Sequence, residues 1–293
     1  MTDFLQQVVA GLASGGIYAS LALAVVLIYR TTRVINFAQG EMAMFTTFIA
    51  WALIERGLPF WPAFALTLAI AFVGGVAIER IVIRPVENAP VLTIVMVTIG
   101  LALLLSGLAS AIWGSEVKKF PSAFSTRTVD LGGVAVSVQD IGVIAVSIGL
   151  VLCLWLFFRF TKLGLALRAA AVNPEESRLV GVRVGWMLAL GWGLAAVLGA
   201  VAGMMIAPTV FLEPNMMRAI LLYAFAAAVL GGLDSPIGAV VGGLAFGVIQ
   251  NLIETYIEEV GPTLRLPAAL TVMLLVLLVR PSGLFGRAAV RRV

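Results

Sequence analysis

The stretch YRTTRVINFAQGEM, residues 29–42, decides how this chain is read. It joins one long hydrophobic run to the next, and sets two arginines, an Asn, a Gln and a Glu into an otherwise greasy background. Polar side chains at the edge of a bilayer core are costly unless something uses them. Function is therefore sought here first, with Asn36, Gln39 and Glu41 as the candidate lining of a hydrophilic translocation path. Glu41 lies five residues beyond Asn36, so the two sit near one helix face, though not directly on it. The competing reading pairs Glu41 with Arg30 or Arg33, or leaves it to fix the start of a helix.

Outward from that stretch the composition sets the class. Of 293 residues, 61% are hydrophobic and 12% charged, against roughly 45–50% and about 25% in soluble domains. Residues 4–29 are interrupted only by Gln6 and Gln7, and 58–78, 88–115 and 184–212 carry no charge. Each is long enough, as a helix, to cross a hydrocarbon core of about 30 Å. Residues 141–158, 235–253 and 266–279 are further candidates. The shorter runs 42–53 and 219–233 suit tilted, kinked or re-entrant helices. Nine hydrophobic segments and eight to ten crossings are expected, in one all-α transmembrane domain over residues 1–293. The first segment is read as a retained helix, because it lacks a basic stretch before its apolar run.

Charge placement orients the chain. If nine segments cross, the side holding residues 159–183 carries 13 Lys and Arg: Arg30, Arg33, Arg80, Arg84, Arg159, Lys162, Arg168, Arg178, Arg183, Arg280, Arg287, Arg291 and Arg292. The other side carries 19 − 13 = 6. The positive-inside rule then puts the N-terminus outside and the C-terminus in the cytoplasm. Glu254, Glu258 and Glu259 lean outward. The net charge of +4 thus reports topology, and not nucleic-acid binding.

With no His, His-ligated metals and His-based catalysis are excluded, and Cys153 is alone in an apolar run. No nucleophile elbow, phosphate loop or paired metal-ligand motif occurs, so neither an enzyme nor a cofactor is expected. Glycines at four-residue spacing (Gly11 and Gly15, Gly199 and Gly203, Gly238 and Gly242, Gly243 and Gly247) predict close helix packing in lipid. Asp140 is expected to cap a helix after Gln139. Gln250, Asn251 and Tyr18 stay ambiguous between structure and path.

The second informative stretch is TKLGLALRAAAVNPEESRLVGVRV, residues 161–184. It predicts two short helices. The first is Ala- and Leu-rich, covers 165–172 and carries Arg168. The second has Asn173 as N-cap, Pro174 at its first position, Glu175 and Glu176 at its positive end and Gly181 at its stop. So much helix-defining chemistry between two membrane segments suggests a shaped docking surface, although a loop that only obeys the positive-inside rule would also carry these arginines.

Four blocks resemble the permease subunits of branched-chain amino acid ABC importers, the Liv-type H family. They are GLASGGIYASLALAVVLIYRTTRVINFAQGEMAM, LGLALRAAAVNPEESRLVGVRV, AVLGGLDSPIGAVVGGLAFGVIQNL and LLVLLVRPSGLFG, in order over nearly the whole chain. The resemblance implies a bacterial inner-membrane permease that pairs with a second homologous permease subunit. It also implies two cytoplasmic ABC ATPase subunits below and a periplasmic substrate-binding protein above. Arg168, Ala169, Ala170, Asn173, Pro174, Glu175 and Gly181 then fall in a coupling loop spanning about 159–185. The loop departs from the common importer pattern of Glu-Ala-Ala followed by Gly, since Arg168 stands where an acid is often found.

Rival classes fit less well. A secondary transporter calls for polar ion-binding clusters at broken helices near the midplane, and a channel for a filter motif. The substrate implied by the family is leucine, isoleucine or valine or a related amino acid, with urea or short amides as the alternative. No residue in the sequence separates these.

Overall fold

The computed structural model describes residues 2–32, 34–130, 135–257, 261–280 and 283–286. Arg33, Glu258, Glu259, Arg287, Arg291 and Arg292, which entered the charge count, lie outside the described residues.

The protein is an all-α polytopic membrane protein. Its helices are α1 (Thr2–Thr32), α2 (Gln39–Glu55), α3 (Phe60–Ile78), α4 (Val91–Trp113), α5 (Val138–Phe160), α6 (Lys162–Val172), α7 (Pro174–Leu179), α8 (Val184–Val210), α9 (Met217–Gly231), α10 (Pro236–Tyr256) and α11 (Gly261–Val279). A hairpin of β1 (Thr128–Asp130) and β2 (Ala135–Ser137) precedes α5, with Val129 opposite Val136. Among the described residues six helices are long and apolar enough to cross a membrane. The expected segments 42–53 and 219–233 correspond to α2 and α9, and both helices are shorter than a full span.

α1 and α8 form the centre. Both are buried along most of their length, whereas α3, α4 and α5 turn most of their apolar surface outward, as lipid-facing helices should. α1 packs on α10, α8, α9 and α5. Close approach is possible because glycines remove the Cβ. A Cβ on Gly15 would lie 2.9 Å from the Leu244 backbone, and one on Gly247 would collide with the backbone of Gly15. Gly199 and Gly203 do the same for α2, where Gln39, Ala43 and Thr47 lie against α8. Aromatic rings gather near one end of the bundle around Trp61, Phe120 and Phe124, and near the other at Trp155, Phe160 and Trp186. That distribution suits the two membrane interfaces.

Two features were placed differently by the sequence. The cap of α5 is Ser137, whose hydroxyl accepts from the Gln139 N–H at 3.1 Å, and Asp140 sits one turn in. Gln139 is free to turn inward, where its Oε1 accepts from the Ser122 hydroxyl (2.8 Å) and the Phe124 N–H (3.1 Å). The helix begun at Phe60 also does not stop at Ile78. It runs on through a π turn (Glu79–Ile83) and a 3-10 turn (Arg84–Val86).

Candidate functional site

The stretch 29–42 breaks the chain inside the bundle. Thr31, at the end of α1, lies against Gly191, and the Gln39 side chain donates to the Ala195 carbonyl at 2.9 Å. Counted from Val184 at 1.5 Å per residue, those α8 positions are about 10 Å and about 16 Å deep. Non-helical backbone at such depth is tolerated only where protein buries it or a cavity lines it. Here the chain satisfies itself. Asn36 Oδ1 accepts from the Ala38 N–H (3.0 Å), Asn36 Nδ2 donates to Gln39 Oε1 (3.3 Å), and the Phe37 N–H donates to Thr98 Oγ1 (3.4 Å). Asn36 and Gln39 are almost fully buried. Of the expected path residues these two are brought together, and they brace the turn and staple α2 to α8.

Glu41 points elsewhere. Its Oε2 is buried without a hydrogen-bond partner, and Arg218 is a cation that acts on it across space. Arg218 belongs to the first turn of α9. The chain reaches that point by re-entering the bundle from the far end. Phe211 holds φ 63° at the close of α8, Leu212 bridges to Lys118, and the Pro214 carbonyl accepts from Ser106 of α4. Ser106 is seven residues before the end of α4, about 10 Å inside.

The structure therefore sets two half-helices N-terminus to N-terminus within the bundle. α2 runs from the break toward the far end, and α9 runs from its own start toward the end that carries α6 and α7. Gly40 lies against Met217 and Leu221, and the Phe37 ring lies 5.6 Å from that of Phe225. Neither half-helix has a side-chain cap; the Gln39 and Arg218 N–H groups donate to the Asn36 and Asn215 carbonyls (3.4 and 3.1 Å), and both helices present the positive ends of their dipoles. Glu41 offsets that charge, while Asn215 in the turn before α9 and Arg218 and Leu222 on it leave an exposed stripe. A guanidinium at that depth costs about 2.5–3.5 kcal/mol on insertion scales if it faces lipid. This face is built for water or a partner.

At the opposite end of α9, the 159–185 segment is ordered by caps. Thr161 Oγ1 accepts from the Gly164 N–H (2.9 Å) to start α6, one turn earlier than expected. Asn173 Oδ1 accepts from the Glu176 N–H (3.2 Å) to start α7, with Pro174 in the first turn. Gly181 at φ 84° ends it: its N–H donates to the Arg178 carbonyl (3.1 Å) and the Val182 N–H to the Ser177 carbonyl (3.0 Å). That pair of bonds is a Schellman stop.

These caps sort the candidate coupling residues. Ala170 is buried and, with Leu167, packs on Val184 and Met187 to hold α6 down. Arg168 turns toward an apolar groove shared with Arg30, and Ala169 is partly covered. Pro174 and Glu175 are exposed at the tip. Beside them Leu179 and Val180 are 87% and 79% exposed, two apolar residues the sequence reading did not single out. Only the glycine stop after them hinted that the chain turns outward there.

A family profile described as branched-chain amino acid transport system, permease component, matches residues 7–279. The chain belongs to the branched-chain amino acid transport permease family. Curated relatives agree along nearly their whole length. The permease protein LivH of Escherichia coli K12, described as part of a high-affinity branched-chain amino acid transport system, is 30% identical over 99% of this chain and 98% of that protein. The corresponding permease BraD of Pseudomonas aeruginosa is 32% identical over the same shares. Among solved structures, PsaBC from Streptococcus pneumoniae in complex with Fab has a similar fold, with a TM-score of 0.51 at 15% identity over 95% of this chain and 92% of that one. Within this permease the family blocks coincide with the broken turn, the α6–α7 segment and the Gly-rich α10.

Proposed function

We propose that the chain is the permease subunit of an ATP-driven importer for branched-chain amino acids, with hydrolysis on separate subunits. The observation that carries this reading is the α6–α7 tip. A six-residue helix, capped at both ends, holds Leu179 and Val180 in the open next to Glu175, Glu176 and Arg178. Exposed apolar side chains rimmed by charge mark a protein-docking surface, and a chain without a phosphate loop needs one if ATP drives it.

The α6–α7 end is then cytoplasmic, which agrees with its arginines and places the N-terminus outside, in the periplasm of a bacterial inner membrane. Two ABC ATPase subunits dock on the tips of two permeases, this one and a homologous second subunit, and a periplasmic binding protein delivers substrate to the far end. The path runs over the Glu41–Arg218 face, between the two permeases. A zwitterionic amino acid suits a face that offers one carboxylate and one guanidinium.

Co-purification from native membranes tests the assembly. The tagged chain should bring down a P-loop ATPase and a second permease, and replacing Leu179 and Val180 with Asp should lose the ATPase while retaining the permease. Recovery of the chain alone in a transport-active form would contradict the reading.

A further inference from the structure

We propose that the cavity beneath the broken turn is a second ligand site, for the ammonium end of a small aliphatic amine, with Glu79 as its anionic anchor. The cavity measures about 220 Å³, is open on one side, and is lined by the end of α1, the π turn, α4, α7 and α8. Glu79 lines it, is 1% exposed, and its Oε2 is buried without a hydrogen-bond partner. A carboxylate taken out of water with an idle oxygen is costly. Arg84 and Arg80 act on Glu79 through space, but Arg80 lies over the Trp186 ring at 3.8 Å and Arg84 against Gly185. The π turn that begins at Glu79 is the kind of helix defect that recurs at functional sites.

The rest of the lining narrows the ligand. Thr31 and Thr32 donate their hydroxyl protons to the Ile28 carbonyl (2.8 and 2.9 Å), and Thr98 donates its own to Val95 (2.8 Å). Thr98 Oγ1 already accepts from the Phe37 N–H (3.4 Å) and Thr32 Oγ1 from the Val34 N–H (3.3 Å), so Thr31 Oγ1 is the most open acceptor of the three. Glu87 adds a second carboxylate, and among the described residues Arg178 is the cation of the lining. Asn36 and Asn88 add amides that donate as well as accept, and it is the two carboxylates that favour a group that only donates: an ammonium has three donors and no acceptor. Ile28, Ile94 and Leu188 supply apolar wall for an aliphatic tail, which a bare cation would leave unused.

The inference rests on the importer reading for its choice of amine: an aliphatic amino acid on the cytoplasmic side. Pro174 and Arg178 of α7 form part of the same cavity. Its occupancy therefore bears on the element that docks the ATPase.

The test is ligand protection of a cysteine in the cavity wall. Thr32→Cys is placed on a Cys153→Ser background, and the permease complex is purified with its partner subunits. The rate of maleimide labelling is followed with L-leucine, 3-methylbutylamine, 4-methylpentanoate and sodium chloride. Leucine and 3-methylbutylamine should slow labelling saturably, while 4-methylpentanoate and sodium chloride should not. Glu79→Gln should raise the half-protecting leucine concentration about tenfold or more, the scale of a lost charge-assisted hydrogen bond. No protection by leucine, equal protection by 4-methylpentanoate, or protection by sodium chloride overturns the proposal. So does unchanged protection in a Glu79→Gln complex recovered in normal yield. Leucine uptake by the unmodified complex is scored separately. Uptake without protection sinks the site alone, whereas amine-specific protection in a complex that imports no amino acid sinks the importer reading and leaves the site standing.

Discussion

At the level of single residues, Glu41 and Arg218 carry the path assignment. Each lies in the first turn of a half-helix, Glu41 half-buried and Arg218 on the exposed face of α9, at a depth where an unmatched charge is costly. Glu41→Gln and Arg218→Gln should each lower uptake about tenfold or more, the scale of 1.4 kcal/mol or more in a barrier. The double variant should lose less than the product of the two, since removing one partner strands the other. Uptake assays at matched membrane levels measure this, and strictly multiplicative losses would separate the two residues. Gln39 has a different task. Gln39→Ala removes its bond to the Ala195 carbonyl and takes the Oε1 acceptor from buried Asn36 Nδ2, and should cost about 1–3 kcal/mol of stability, read as a lower melting temperature in detergent. Asn36, Gln39 and Glu41 were legible in the sequence because amides and a carboxylate stand out against an apolar background. Arg218 and Glu79 were not, because each looks like an ordinary interfacial charge until the fold shows that α9 starts inside the bundle and that α3 continues past Ile78.

Among the elements, α7 was the most legible, since Asn173, Pro174 and Gly181 act through contacts within a few residues of chain. Its caps make a prediction. Asn173→Ala removes a cap worth about 1 kcal/mol, and joint replacement of Asn173 and Pro174 should uncouple ATP hydrolysis from uptake while membrane levels stay normal. A Pro at Ala170 should do the same by breaking α6 where it packs on α8. Wild-type uptake in either variant would remove α6–α7 from the coupling role. The cap of α5 was misread for a related reason: Ser137 and Asp140 are both capping residues, and only the β2 strand ending at Ser137 decides which one stands outside the helix. The shortness of α2 and α9 was visible in their runs, but their N-to-N meeting depends on chain segments far apart in sequence.

For the whole molecule, the glycine pairs set how tightly α1 can lie on α10. Gly243→Val would press a branched side chain onto the Ala19 backbone, and overpacking of this kind costs typically 1–3 kcal/mol. Thermal unfolding in detergent should fall accordingly, with uptake lost alongside, whereas Gly149→Ala, which meets open space, should be neutral. The account as a whole holds that two half-helices form a charged path on one face and that a capped helix at the opposite end couples it to ATP. The most direct test is ATP-driven uptake of leucine into proteoliposomes carrying the purified complex, scored together with ATP hydrolysis. Accumulation that requires ATP and the binding protein, and that is lost in the Asn173 and Pro174 double variant while hydrolysis persists, is the predicted result. Leucine uptake that proceeds without ATP, or that is untouched by the double variant, would contradict it.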